Sequence, residues 1–220
     1  MKKSLNDILL PQRYFLLPFF GLLLLGFVLL LFYTKQGLFL VINRHFNPFF
    51  DIFFKLITLF GDGIMTVIVV LALLFFKFRY AVLAALAFAY NSLIIQALKH
   101  FFKAPRPIKY FDGVAPIRTI EGYPIHEWNS FPSGHTGSVF TLAVILSYIL
   151  PYSQRHWIII PIAALTAFSR VYLAQHFMED IIAGSIIAVV LTFQLIWYLE
   201  NTKWYNSPTL ERSLFGKFES

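Results

Sequence analysis

Tyr14 to Thr34 reads YFLLPFFGLLLLGFVLLLFYT, 21 residues without a charge. As a helix rising about 1.5 Å per residue it covers about 30 Å, the thickness of the hydrocarbon core of a bilayer. The rest of the chain repeats the pattern. It is 58% hydrophobic and 13% charged, with 26 phenylalanines among 220 residues, against roughly 45 to 50% apolar and 25% charged in soluble domains. This composition excludes an ordinary soluble enzyme and marks an integral membrane protein.

Five further apolar runs follow, and they predict an all-α polytopic membrane protein of six transmembrane helices, about 14–34, 56–76, 80–98, 132–150, 157–174 and 181–199. Asp62 interrupts the second. The uncharged part of the fifth, Trp157 to Ser169, is too short to cross unless it continues through Arg170 to about Ala174. A guanidinium within a membrane helix costs about 2.5 to 3.5 kcal/mol at the centre and less near the end, so Arg170 is expected to face a polar cavity or a partner.

No internal repeat is seen, and residues 1–220 read as one membrane-embedded domain with a loop at 99–131 and a polar surface tail at 201–220. The first run is longer than a signal-peptide core and lacks a small-residue cleavage site after it, which predicts a retained anchor. The net charge of +7 is spread over helix ends and loops, which points to anionic lipid and not to nucleic acid. With no cysteine, no thiolate metal site or disulfide can form. Small residues at Ala81, Ala85 and Ala89, at Ala163 and Ala167, and at Gly184 and Ala188 predict close helix contacts.

Because crossings alternate, the loops after the third and fifth runs open on one face and both termini on the other. Lys and Arg divide nine to nine between the faces, Arg155 among those on the terminal side. If a functional site holds several on the loop face, the remaining bias puts the termini in the cytoplasm. Any site on the loop face is then expected on the outer side of the membrane.

Three unusual clusters share the loop face: KHFFKAPRP at 99–107, FPSGH at 131–135 and SRVYLAQHFMED at 169–180. Lys99, Arg106 and Arg170 supply fixed positive charge, and the two guanidinium forks match phosphate oxygens. Ser133 is a favoured N-cap, Gly134 leaves room for close approach, and a helix N-terminus accommodates an anion. His176 and Asp180 are one helical turn apart, so the carboxylate can hold one imidazole nitrogen and leave the other to attack phosphorus. His135 can protonate the leaving oxygen. Read singly, these residues have plainer roles: Lys99 a snorkelling anchor, Arg170 an ion pair with Asp62 or Glu179, the histidines satisfied interface residues, Ser133 a cap.

Taken in order, Lys99-x6-Arg106-Pro107, Pro132-Ser133-Gly134-His135 and Ser169-Arg170-x5-His176-x3-Asp180 resemble the three-part signature of the type 2 phosphatidic acid phosphatase family. The resemblance covers about residues 80 to 199. It implies a helical bundle related to vanadium haloperoxidases and hydrolysis of phosphate esters through a phosphohistidine, with no metal or other cofactor. By position it makes His176 the nucleophile, Asp180 its orienter, His135 the acid, and Lys99, Arg106, Ser133, Gly134 and Arg170 the phosphate cradle. Asp62 and His126 are further candidates, the first equally readable as a structural partner and the second as a loop residue.

The expected activity is that of a lipid phosphatase, with the lipid chain entering sideways between helices. Lipid A or undecaprenyl diphosphate ranks first as substrate, phosphatidylglycerol phosphate or phosphatidate next. A phosphotransferase passing the group to a second acceptor and a non-catalytic lipid-binding protein are the alternatives.

Overall fold

The computed structural model describes residues 2–150 and 156–217; Arg155 and residues 218–220, the end of the predicted tail, lie outside them. The chain opens with a short helix α1 (Leu5–Leu9), a 3-10 turn (Leu10–Gln12) and α2 (Arg13–Phe32). Leu17, Phe20, Leu24, Phe27 and Leu31 are exposed along α2. Their spacing of three and four marks one face, which suits contact with lipid chains. Phe15 and Phe19 point the other way and are buried.

Next come α3 (Lys35–Arg44), α4 (Pro48–Ile57), a 3-10 turn (Thr58–Gly61) and α5 (Gly63–Leu73). Thr34 caps α3 through Gly37 N–H at 3.1 Å and Asn47 caps α4 through Phe49 N–H at 2.8 Å. Neither α3 nor α4 is legible as an apolar run, because both carry charges. Asp51 lies in α4 and forms an ion pair with Arg118 of the long loop. The second predicted helix therefore begins earlier than Leu56 and is broken. Asp62 leaves the helical conformation and caps α5 by accepting from Ile64 N–H at 3.3 Å, and the two halves meet at 53°.

The half that carries the three clusters consists of α6 (Phe78–Phe102), α7 (Pro107–Tyr110), α8 (Gly134–Ile149), α9 (His156–Tyr172) and α10 (Met178–Glu200). Each of the six predicted regions contains helix, while the count of six full crossings is not confirmed by the described residues. Among the described residues three helices are long and apolar enough to cross alone, Leu5–Phe32, Phe78–Phe102 and Met178–Glu200, and the bent pair, taken as one span, makes a fourth. α8 and α9 are apolar but shorter. For α8 the reason is local: Ser133 is extended and caps the helix, which therefore starts at Gly134, and its sides are packed by α6, α9 and α10.

Close packing follows small residues, though not all of those expected. On α6 the buried positions are Ala81, Ala84 and Ala87, whereas Ala85 and Ala89 are exposed. On α9 and α10 the expected Ala163, Ala167, Gly184 and Ala188 are all buried. A Cβ on Gly184 would sit 2.6 Å from the Ser133 carbonyl, which fixes how closely α10 approaches the start of α8.

The tail is less peripheral than its polarity suggests. Tyr205 is 1% exposed, Arg79 N–H donates to the Leu210 carbonyl at 2.9 Å, and a two-residue hairpin of β1 (Arg212–Ser213) and β2 (Gly216–Lys217) closes it. Glu200 binds both Lys3 and Arg79, at 2.6 and 2.8 Å, and so ties the N-terminal segment to α6 and α10 at the end of the bundle opposite the three clusters.

Candidate active site

α6 ends at Lys99 to Phe102 and turns at Lys103, whose φ of 45° starts the long loop. That loop returns alongside itself: Arg106 N–H donates to the Glu127 carbonyl at 2.7 Å and Ser130 N–H to the Ala104 carbonyl at 3.0 Å. The return brings Asn129 to Pro132 up to Lys99 just before α8 begins. On the far side α9 ends with Arg170 in its last turn, and the Arg170 carbonyl accepts from both Gln175 and His176 N–H. The chain then turns directly into α10. The three clusters are thereby gathered at one end of the bundle.

His176 is 2% exposed and Asp180 1%. His176 Nδ1 lies 3.2 Å from Asp180 Oδ2, which leaves Nε2 as the nitrogen available for attack. The carboxylate is itself fixed. Its Oδ2 accepts from Ser130 Oγ at 2.5 Å and from Phe177 N–H at 2.9 Å, the latter a cap on the first turn of α10. Ser130 Oγ also lies 3.4 Å from His176 Nδ1. Burial first, and then the charges of Arg106, Lys99 and Arg170, hold the His176 imidazole well below the ordinary histidine pKa, so its resting form is neutral. A neutral imidazole oriented by a carboxylate is suited to nucleophilic attack.

The cations are held by neutral acceptors and not by carboxylates, which leaves their charge for an anion. Lys99 Nζ donates to the Asn129 carbonyl at 2.5 Å. Arg106 Nε donates to the Trp128 carbonyl at 2.9 Å, and its NH1 to Gln175 Oε1 at 2.9 Å. Burial and then the charge of Arg170 push Arg106 down to about 10, so it stays ionised at neutral pH. Arg170 is 3% exposed; its NH1 donates to Thr58 Oγ1 at 2.8 Å and to the Tyr123 hydroxyl at 2.7 Å, while its buried Nε has no partner among the described residues. The sequence reading that paired Arg170 with Asp62 or Glu179 does not hold. Asp62 caps α5, and Glu179 binds Lys35 at 2.7 Å.

Ser133 is fully buried and caps α8 with an oxygen that accepts from Thr136 N–H at 3.4 Å and Thr136 Oγ1 at 3.0 Å. Its own main-chain N–H is taken by the Asp180 carbonyl at 3.0 Å. What Ser133 can offer an anion is therefore its hydroxyl hydrogen, beside the free first-turn amides of α8. His135 is half-buried against the broken helix, where a Cβ on Gly61 would meet the His135 carbonyl at 2.8 Å. His126 is exposed on the loop; burial and the charges of Arg106, Arg170 and Lys99 lower its pKa.

Four contributors to this arrangement are absent from the sequence reading: Ser130, Gln175, Tyr123 and Thr58. Ser130 and Gln175 lie beside residues that were singled out, so their neighbourhood was a signal. Tyr123 and Thr58 carried none. Tyr123 reaches Arg170 because the long loop is fastened elsewhere. Asn43 binds the backbone of Arg118 in both directions at 2.9 Å, the Arg118 side chain pairs with Asp51, and Gln175 Nε2 donates to the Pro124 carbonyl at 3.0 Å.

Residues 80–204 match the PAP2 superfamily, more than half of the chain. The chain belongs to the PAP2 superfamily. It is 31% identical over 165 residues to a lipid A 4'-phosphatase of Porphyromonas gingivalis, covering 72% of this chain and 70% of the relative. It is 30% identical over 131 residues to phosphatidylglycerophosphatase B of Bacillus subtilis, covering 55% and 59%. Among solved structures, LpxE of Aquifex aeolicus superposes with a TM-score of 0.66 at 28% identity, over 72% of this chain and 92% of that one. A Bacillus subtilis PAP2-type phosphatidylglycerolphosphate phosphatase superposes with a TM-score of 0.62 at 23% identity, over 86% and 98%, a likeness of fold. Every signature residue read from the sequence falls inside the matched PAP2 region.

Proposed function

We propose that this PAP2 protein is a membrane lipid phosphatase that removes phosphate from an envelope lipid through a phosphohistidine at His176. The observation that carries the reading is the His176–Asp180 pair at 3.2 Å, buried within the field of Lys99, Arg106 and Arg170. His176 Nε2 attacks phosphorus while Lys99, Arg106, Arg170, the Ser133 hydroxyl and the Gly134 amide neutralise the developing charge on the equatorial oxygens. The P–N bond forms as the P–O bond to the lipid breaks, and His135 gives its proton to the leaving oxygen. Water then attacks the phosphohistidine, His135 takes a proton from it, and the P–N bond breaks to release phosphate. None of these steps calls on a metal, so hydrolysis is expected to survive excess EDTA and to be inhibited by vanadate.

Among substrates, a phosphorylated lipid of the lipid A or undecaprenyl diphosphate type ranks first and phosphatidylglycerol phosphate or phosphatidate next; the similarity to a lipid A 4'-phosphatase and to phosphatidylglycerophosphatase B supports the range. The protein is read as a bacterial inner membrane enzyme with its site on the periplasmic or outer face and its termini in the cytoplasm. Offering the purified protein each of these lipids and measuring released phosphate tests the assignment. Release from at least one is expected. Turnover that requires a second phosphate acceptor would favour a phosphotransferase, and no turnover of any would favour a lipid-binding protein.

A further inference from the structure

His135 must enter the proposed reaction as an imidazolium, because it gives a proton to the leaving oxygen. Its surroundings oppose that form. Arg170 of α9, Arg106 of the long loop and Lys99 of α6 all place positive charge around the ring, and like charge disfavours a protonated imidazole. Among the described residues the ring nitrogens of His135 make no hydrogen bond, so no acceptor holds the proton there. Two carboxylates lie in this region, and they divide. Asp180 accepts from Ser130 Oγ and Phe177 N–H and faces His176 Nδ1. In-line displacement puts that nucleophile and the leaving oxygen on opposite sides of phosphorus, so Asp180 belongs to the attacking side.

Asp62 belongs to the other. Its neighbours Gly61 and Gly63 line the same cavity of about 200 Å³ as His135, and a Cβ on Gly61 would sit 3.1 Å from the His135 Cβ. Asp62 Oδ1 accepts from Ile64 N–H at 3.3 Å, and the carboxylate enters no ion pair among the described residues. Its charge therefore has no direct partner there and acts through space, on His135 and on Arg170. We propose that Asp62 is the charge partner of the general acid: set beside His135 by the helix break, its carboxylate stabilises the imidazolium until the ester oxygen takes the proton. The proposal rests on the phosphatase reading above and adds a residue to it. Asp62 is a positioning residue, acting through His135 and touching neither the phosphate nor the alcohol. The proton leaves His135 as the P–O bond breaks, and the neutral ring recovers one from the attacking water as the P–N bond breaks, again favoured by the nearby carboxylate.

The test uses the full-length protein in detergent with two phosphate monoesters. One is dodecyl phosphate, whose alcohol leaves only with a proton; the other is the monoester of a dodecyl-substituted nitrophenol, whose phenolate leaves without one. The quantity read is kcat/KM, which reports the step that forms the P–N bond. Asp62→Asn removes the charge and keeps an equally favoured helix cap, whereas Asp62→Glu keeps the charge and gives up a favoured cap. Asp62→Asn is expected to lower kcat/KM at least tenfold for the dodecyl ester and less than threefold for the nitrophenyl ester, with a smaller loss in Asp62→Glu. His135→Ala should show the same selectivity, and adding Asp62→Asn to it should cost nothing further. Asp62→Ser, a second uncharged cap, gives the same comparison if Asp62→Asn does not elute as a monodisperse protein. Equal losses on the two esters, as a cap or a partner of Arg170 would give, or losses that add to those of His135→Ala, overturn the proposal. No phosphate release by the wild type from either ester overturns the phosphatase reading, and a His135→Ala variant without selectivity overturns the acid assignment; both differ from a selective His135→Ala beside an unselective Asp62→Asn.

Discussion

Ser130 Oγ donates to Asp180 Oδ2 across 2.5 Å, on the same carboxylate oxygen that faces His176 Nδ1. In the proposed mechanism the serine therefore fixes the carboxylate that orients His176. Ser130→Ala leaves the carboxylate with the Phe177 amide and the imidazole alone, free to rotate. The expected result is a fall in kcat of about tenfold, equivalent to about 1.4 kcal/mol and close to the low end of the roughly 1.5 to 3 kcal/mol of a hydrogen bond to a charged group, with KM little changed. A loss confined to KM would assign Ser130 to substrate binding instead.

Tyr123 is the one loop side chain whose hydroxyl meets Arg170, at 2.7 Å. Thr58 holds the same guanidinium nitrogen from the opposite element. Removing the phenol oxygen in Tyr123→Phe should weaken phosphate and vanadate inhibition about three- to tenfold, since a donor aimed by two acceptors is then aimed by one. Arg118→Ala, which unfastens the same loop from Asp51, is expected to change inhibition in the same direction. Unaltered inhibition constants in both variants would contradict the role given to the loop.

Among the described glycines whose added Cβ would meet backbone, Gly184 is the tightest. Its hypothetical Cβ would lie 2.6 Å from the Ser133 carbonyl, a backbone atom that cannot step aside without moving the first turn of α8. Gly184→Val should therefore cost more than ten times in kcat/KM, with detergent-solubilised protein still recoverable, and Gly21→Val, which meets nothing within 4 Å, serves as the control. Equal activity of the two variants would show that the α8–α10 approach does not set the site.

Much of this site was legible because phosphate chemistry demands specific residue types at fixed spacings, and apolar helices otherwise exclude them. Lys99, Arg106, Arg170, His135, His176 and Asp180 stood out against phenylalanine and leucine. Tyr123 and Thr58 did not, because each is an unremarked residue until tertiary structure carries it to Arg170. The helix break at Asp62 was hidden for a similar reason. An interrupting aspartate in an apolar run fits a straight helix with one polar residue, and only the closeness of Gly61 to His135 calls for a bend. α3 and α4 were missed because charges that pair with the loop and α10, Asp51 with Arg118 and Lys35 with Glu179, look in sequence like solvent-exposed residues.

The depressed pKa of His176 has a consequence for stability. The unfolded chain takes up this proton near pH 6.5 and the folded chain only well below that. Stability is therefore full above about pH 6.5 and declines as pH falls from there toward the native value, because the unfolded state binds the extra proton. Thermal unfolding in detergent between pH 7 and pH 5 should show a steeper loss for the wild type than for His176→Asn. Parallel curves would mean that His176 does not carry the burden assigned to it.

The most direct measurement is capture of the covalent intermediate. A ³²P-labelled lipid substrate, quenched in alkali within the first turnover, should leave label that is stable to base and labile to acid, as a phosphoramidate is, and peptide mapping should find it on His176. His176→Ala should show neither label nor phosphate release, while His135→Ala should take up label and turn over slowly. Label on any other residue, or phosphate release by His176→Ala at the wild-type rate, would contradict the account.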